Sequence, residues 1–160
     1  MKSIAFLPVV AAALLIAFPG LGAEVRDKPK AVLELFTSQG CSSCPQADLK
    51  FNELGKRSDL ITLAYHVDYW DYIGWTDTFG SKDNTDRQKA YAQSWGSSMI
   101  YTPELVVNGA RGVVGSRDND VTEALGAAAL DLPVDISLGT KMIDVTVGPA
   151  ANGPEAMVWP

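Results

Sequence analysis

A chain of 160 residues with 47% hydrophobic, 20% charged and 9% aromatic side chains has the size of one compact domain, and its composition excludes collagen-like, coiled-coil and disordered classes. Its 13 basic and 19 acidic residues give a net charge of −6, with basic neighbours only in scattered pairs such as Lys56-Arg57, so no phosphate-tracking stripe exists and nucleic acid is excluded as an expected partner. Two cysteines are too few for a multi-bridge scaffold, so stability must come mainly from an apolar core and the pair is free for chemistry.

Lys2, the uncharged apolar run Ile4 to Phe18 and the break at Pro19-Gly20 before Gly22 and Ala23 read as a secretory signal peptide over residues 1–23. The run is shorter than the roughly 20 residues a spanning helix needs and contains Pro8, so no stable membrane insertion is expected after cleavage. No cysteine follows the expected cut, which excludes a lipid anchor there, and the mature protein carries a net −7. The expected location is periplasmic or extracellular.

Ala31 to Phe36 is a nearly continuous apolar run, the pattern of a strand buried on both faces, ending in the polar turn Thr37-Ser-Gln-Gly40. A helix follows, with Ser42 or Ser43 as its cap, Pro45 in its first turn, Ala47, Phe51 and Leu54 at helical spacing, and Gly55 as a left-handed end. Leu60 to Val67 reads as a second buried strand. The strand, helix, strand order is a right-handed parallel unit, with the loop Gly40 to Cys44 at the carboxyl edge of the sheet, where chemistry usually sits.

The aromatic stretch Asp68 to Phe79 is too irregular for a helix or strand and is expected to cover something. Thr85 and Gln88 form a capping box for a helix with Tyr91, Ala92 and Trp95 on one face, closed by Gly96. After Tyr101-Thr102-Pro103, the segments Glu104 to Asn108 and Arg111 to Val114 around Asn108-Gly109 predict a β-hairpin. Asp120 and Glu123 are expected to cap a last helix carrying Val121, Ala124, Leu125 and Ala128. Beyond Pro133 the apolar period becomes two, Val134, Ile136, Leu138 and then Ile143, Val145, Val147, which predicts a second hairpin with one buried face. Ala156 to Pro160 reads as a strand just beginning, so the expected divisions are a signal peptide at 1–23, a domain at 24–132 and a truncated hairpin extension at 133–160.

Cys41-Ser-Ser-Cys44-Pro45 carries the chemistry. A C-x-x-C at a helix start lets the sulfurs reach each other, while the helix dipole and free N–H groups stabilise negative charge on the first. Cys41 is the expected exposed nucleophile and Cys44, more buried, the resolving thiol. A metal site and an inert local disulfide are the competing readings of the same spacing. A c-type haem is excluded, because Pro45 stands where a histidine is required.

The order of elements, the C-x-x-C-P helix and Ile100 to Gly109 together resemble the thioredoxin fold, a three-layer α/β arrangement in which a threonine or similar residue precedes a cis-proline opposite the dithiol. More narrowly, Leu35-Phe-Thr-Ser-Gln-Gly-Cys-Ser-Ser-Cys-Pro45, His66-Val-Asp-Tyr-Trp-Asp-Tyr-Ile-Gly-Trp75 and Tyr101-Thr-Pro103 resemble the secreted domain-of-unknown-function family 1223 over roughly residues 31 to 150. The resemblance implies thiol-disulfide exchange with protein or peptide thiols or disulfides, no organic cofactor, a cis Thr102-Pro103 bond and a substrate backbone met by Thr102 and Pro103. Thioredoxins have an aromatic residue before the first cysteine and Gly-Pro between the two; Gly40 and Ser42-Ser43 stand there instead, so a reduction potential does not carry over. Glu34 is the nearest match to the buried acid that assists proton transfer, although its register is one residue off and an ion-paired role fits equally.

His66, the chain's one histidine, is expected to be held by Asp68 or a backbone carbonyl. The alternative is a copper(I) carrier using Cys41, Cys44 and His66, since thiolates and imidazole suit that ion. Trp70, Tyr72, Trp75 and Phe79 form either an apolar lip for a peptide substrate or a loop packed on its own core. The leading expectation is an exported thiol-disulfide oxidoreductase, with the copper carrier second and a non-catalytic binding module with a structural disulfide third.

Overall fold

The computed structural model describes residues 29–131, 134–138 and 142–148. The expected signal peptide and the strand expected to begin at 156 lie outside the described residues. Strand β1 (Ala31–Thr37) is buried along its length except at Val32, as its apolar run requires. It is an inner strand of a four-stranded sheet of order β2-β1-β3-β4, completed by β2 (Leu60–His66), β3 (Glu104–Val107) and β4 (Arg111–Val114). β1 and β2 pair in parallel across helix α1 (Pro45–Leu54), while β3 and β4 are antiparallel additions. Helices α2 (Lys82–Ser94) and α3 (Asp118–Gly126) follow β2 and β4 in the chain. The protein is thus α/β, with the parallel unit where the sequence predicts it.

Alternation along β1 divides the core. Leu33 and Leu35 join Ala47 of α1, Leu105, Val113, Val121 and Ala124 in one buried apolar cluster, each large side chain contributing about 1.5–3 kcal/mol on burial. Phe36 joins Val67 and Val106 in a second cluster, against which Tyr65, Tyr69, Trp70, Tyr91 and Trp95 pack. The three-residue β3–β4 connection is Asn108, Gly109 and Ala110; Asn108 and Gly109 are both at positive φ (52° and 67°), and the Ala110 N–H closes the turn on the Val107 carbonyl. Asn108 also ties the turn to β1, its Oδ1 accepting from the Val32 N–H at 2.8 Å.

Several local expectations are corrected. β2 is one of the two edge strands, and its Ile61 and Leu63 are exposed instead of buried on both faces. Gly55 ends α1 in the right-handed region, and a Cβ there would lie 3.0 Å from Thr62 Oγ1; close approach to β2, not a left-handed turn, is what favours glycine. Helix α2 begins three residues before Thr85, with Ser81 as its cap accepting from the Asn84 N–H, and Thr85 and Gln88 are buried inside it. Arg117 precedes α3 without a side-chain cap, so Asp120 lies in its first turn. The second hairpin is present as β5 (Val134–Leu138) and β6 (Ile143–Val147), paired antiparallel from Val134 with Val147 to Leu138 with Ile143. It forms a separate two-stranded sheet, and Val134, Ile143, Val145 and Val147 are exposed: no described residue buries them.

Candidate functional site

The site is built where β1 leaves the sheet. Thr37 Oγ1 donates to Asp48 Oδ1 (2.7 Å), fixing the strand end against α1, and the Cys41 N–H turns back to the Ser38 carbonyl (3.1 Å). Cys41 and Cys44 are joined by a disulfide with Cα atoms 5.4 Å apart. Cys44 itself is the residue before the first turn of α1, its carbonyl accepting from the Asp48 N–H, and Pro45 follows where a missing N–H costs nothing. Neither Ser42 nor Ser43 caps the helix. Ser43 instead reaches across, with its Oγ 3.5 Å from Cys41 Sγ and donating to the Thr102 carbonyl at 3.4 Å. The Thr102-Pro103 bond is cis, as the resemblance implied.

The expected exposure of the first sulfur is not found: Cys41 is 3% exposed and Cys44 fully buried. The aromatic loop lies against the residue before Cys41. Trp70 and Ile73 close over Gly40 so tightly that a Cβ there would lie 3.0 Å from Trp70 Cβ and 3.2 Å from Ile73 Cδ1. The Trp70 Nε1–H donates to Thr102 Oγ1 (2.8 Å), bolting the loop to the cis-proline segment, and the Trp75 Nε1–H donates to Gln39 Oε1 (3.0 Å). Trp70 therefore packs inward, while Tyr72, Ile73, Trp75 and Phe79 keep large apolar surfaces exposed.

His66, at the end of β2, bonds Asp77 rather than Asp68, with Nδ1 2.7 Å from Asp77 Oδ2. Asp68 is occupied by Thr85 Oγ1. Asp77 also accepts the Gln39 N–H on Oδ2 (2.8 Å) and the Phe79 N–H on Oδ1 (2.9 Å). Burial alone would raise this carboxyl, but those N–H donors and His66 outweigh it and hold Asp77 below the usual range. Sequence reasoning missed Asp77; the turn Asp77-Thr-Phe-Gly80 was legible as an aspartate bonding backbone two residues on, but not its partner on β2. Cys41, Cys44 and His66 do not converge: among the described residues no group of three or more His, Cys, Asp or Glu gathers as metal ligands would.

Glu34 projects from the α2 face of β1, opposite Leu33 and Leu35. Its carboxylate accepts from Arg87 Nε (2.6 Å) and Tyr91 Oη (2.7 Å), and the guanidinium lies over the Tyr65 and Tyr91 rings. The hydrogen bond to Glu34 raises Arg87 further above its already high value, and burial followed by the Glu34 contact raises Tyr91. The ion-paired alternative is the arrangement found. On the same face Gln88 Nε2 donates to both the Tyr101 carbonyl and Glu104 Oε2, each at 2.7 Å, and Gln88 Oε1 accepts from Tyr69 Oη. Burial pushes the Glu104 carboxyl up and Tyr69 up to about 12.

The chain is 38% identical to protein AGR_C_4864 from Agrobacterium tumefaciens, whose crystal structure superposes with a TM-score of 0.68 over 76% of this chain. The match spans 57% of that chain, little more than half its length. No curated relative matches. The family model described as protein of unknown function DUF1223 matches residues 32–159, the three motifs of the dithiol, the aromatic loop and the cis-proline included, and the chain belongs to that family.

Proposed function

We propose that the protein is an exported thiol-disulfide oxidoreductase of thioredoxin-like fold. The observation that carries this reading is the Cys41–Cys44 disulfide at the N-terminus of α1, facing a cis-proline segment through Ser43 and Thr102. Strand order β2-β1-β3-β4, with the dithiol loop at the carboxyl end of β1, supports the fold assignment. In the reducing direction the Cys41 thiolate attacks a partner's disulfide, forms a mixed disulfide and expels one partner thiolate; Cys44 then attacks Cys41 Sγ and releases the second. Two electrons pass to the partner and the protein is left with its disulfide. The oxidising direction is the reverse, with a partner dithiol as the reductant.

The buried sulfurs set a condition on this chemistry. A partner thiol reaches Cys41 only after the Trp70–Thr102 contact opens, which makes the aromatic loop part of substrate admission and leaves Trp75 and its exposed neighbours to meet the incoming segment. The test is the equilibrium reduction potential of the pair, with alkylation of the reduced chain across pH. A measurable exchange potential with Cys41 labelled first, at an apparent pKa below the roughly 8.5 of a free thiol, is expected. A disulfide that no protein thiol reduces, with slow and equal labelling of both cysteines once forced open, would leave a structural disulfide as the better reading.

A further inference from the structure

The sulfur that carries charge in the exchange has few groups to hold it. Cys41 is 3% exposed, and a thiolate shut away from water is costly unless a donor meets it. Helix α1 supplies less than a helix start commonly does, because Pro45 occupies its first turn and brings no N–H. The Cys41 N–H is spent on the Ser38 carbonyl, and the Cys44 N–H on the Cys41 carbonyl (3.2 Å). Among the described residues one hydrogen-bond partner touches Cys41 Sγ: the Ser43 hydroxyl, at 3.5 Å, within reach for an acceptor as large as sulfur. The same hydroxyl lies 3.4 Å from the Thr102 carbonyl oxygen, well beyond the roughly 2.7–2.8 Å of a settled O–H···O bond. Ser43 is exposed, caps no helix and belongs to neither apolar cluster. Its single hydrogen stands between two acceptors and is committed to neither.

We propose that the Ser43 hydroxyl is a switched donor: it points to the Thr102 carbonyl while Cys41 is a thiol or part of its disulfide, and turns to Cys41 Sγ when that sulfur is a thiolate. This rests on the oxidoreductase reading above. A thiol or disulfide sulfur is a weak acceptor, so the carbonyl takes the hydrogen; a charged acceptor roughly doubles the bond and reverses the preference. No charged group of this sheet edge bonds either sulfur. Asp48 accepts from Thr37, Asp71 from the Asp77 N–H, Asp77 from the Gln39 N–H beside His66, Glu104 from Gln88, and Lys82 pairs with Asp86. Cys41 Sγ holds the charge at two moments. One is before it attacks a partner disulfide; the other, in the oxidising direction, is when a second partner thiolate attacks the partner's sulfur in the mixed disulfide, closing the partner's S–S bond and sending the electron pair of the broken bond to Cys41 Sγ. At both moments the hydroxyl steadies the sulfur, and the Thr102 carbonyl is released to accept an N–H of the bound segment.

The test is the pH dependence of Cys41 alkylation in the reduced chain, resolved by peptide mass, for wild type, Ser43→Ala and Ser43→Thr. Burial sets the plateau rate and ionisation sets the midpoint, so the two are read separately. Ser43→Ala should raise the Cys41 midpoint by about one pH unit, a tenfold change in acid dissociation, and slow labelling about three- to tenfold below it; the rates should meet at alkaline pH, where both proteins are ionised. Ser43→Thr, which keeps the hydroxyl, should stay close to wild type. By NMR of protein isotope-labelled at the threonine carbonyl carbon, the Thr102 resonance should move with the Cys41 midpoint in the reduced wild type, and stay still in the disulfide form and in Ser43→Ala. A midpoint unchanged by Ser43→Ala, or moved equally by Ser43→Ala and Ser43→Thr, would overturn the switch and, with Cys41 still acid-shifted and labelled first, leave the oxidoreductase reading standing. Slow and equal labelling of both wild-type cysteines would overturn both. The carbonyl titration of wild type needs no substitution, so a Thr102 resonance indifferent to Cys41 ionisation overturns the switch even where a variant fails to fold.

Discussion

The two faces of the sheet are built to different rules. The face toward α1 and α3 is aliphatic, with Leu33, Leu35, Leu105, Val107 and Val113 meeting Ala47, Val121 and Ala124 and no ionisable side chain among them. The face toward α2 buries Glu34 and Glu104 beside Phe36 and Val106, and satisfies them with Arg87, Tyr91 and Gln88. The first arrangement is tolerant, since apolar packing needs shape and volume only. The second is demanding, since every buried polar atom must find its partner, and those partners continue into Tyr101 and the cis-proline segment. Stability and site positioning thus come from opposite faces of the same strands.

Substitutions that cross this division sharpen it, and the largest effect should come from the aliphatic face. Leu105→Ala should cost about 2–5 kcal/mol by transfer and cavity effects, read as a lower urea midpoint, while leaving the rate of disulfide reduction unchanged in conditions where the variant is folded. Glu34→Gln leaves Arg87 without its counter-charge; because the guanidinium is about one-third exposed, the loss should be smaller, about 1–3 kcal/mol by the same measurement. Equal losses at the two sites would break the comparison. Trp70→Phe keeps the ring and removes the bond to Thr102, and should raise the rate at which a small thiol reduces the disulfide by roughly two- to tenfold, the weight of one hydrogen bond.

The smallest effect concerns Glu104. Burial raises its folded-state value, so the folded chain holds that proton to higher pH than the unfolded chain does. Its neutral form is fully accommodated below the ordinary carboxylate range, and stability declines as pH rises through the raised value. Glu104→Gln should flatten that decline, with wild type and variant closest at low pH and the variant ahead at neutral pH in urea melts. A variant that loses stability equally at every pH would show that the carboxylate, not the acid, is the form the fold prefers.

The sequence makes the aliphatic face legible because strand alternation and helix spacing are local: Ala31 to Thr37, Leu60 to His66 and the Asn108-Gly109 turn fall where period and turn chemistry place them. The dithiol and the cis-proline are legible for the same reason, being short contiguous motifs. What is not legible is long-range. Edge position exposes Ile61 and Leu63, which depends on which strand comes last in the sheet and not on their own run. Asp68 stands two residues from His66 and Asp77 eleven, and only the path of the aromatic loop brings the farther carboxylate to the ring. The Thr85/Gln88 pair fits a capping pattern, but Ser81 takes that place and Gln88 is spent on Glu104. The close fit of Gly40, next to Cys41, is likewise made by Trp70 and Ile73, some thirty residues away.

The Trp70 indole donates to Thr102 Oγ1, and the Thr102 carbonyl accepts from the Ser43 hydroxyl that lies 3.5 Å from Cys41 Sγ, so Trp70 is the chain's own candidate optical reporter of the dithiol. A disulfide beside an indole quenches its emission by accepting an electron from the excited ring, whereas thiols do so far less. Reduction of Cys41–Cys44, or swinging of the indole away from it, therefore changes intrinsic fluorescence without any added label. Stopped-flow emission, with Trp70→Phe as the blank, would time loop opening and bond cleavage on the unmodified chain.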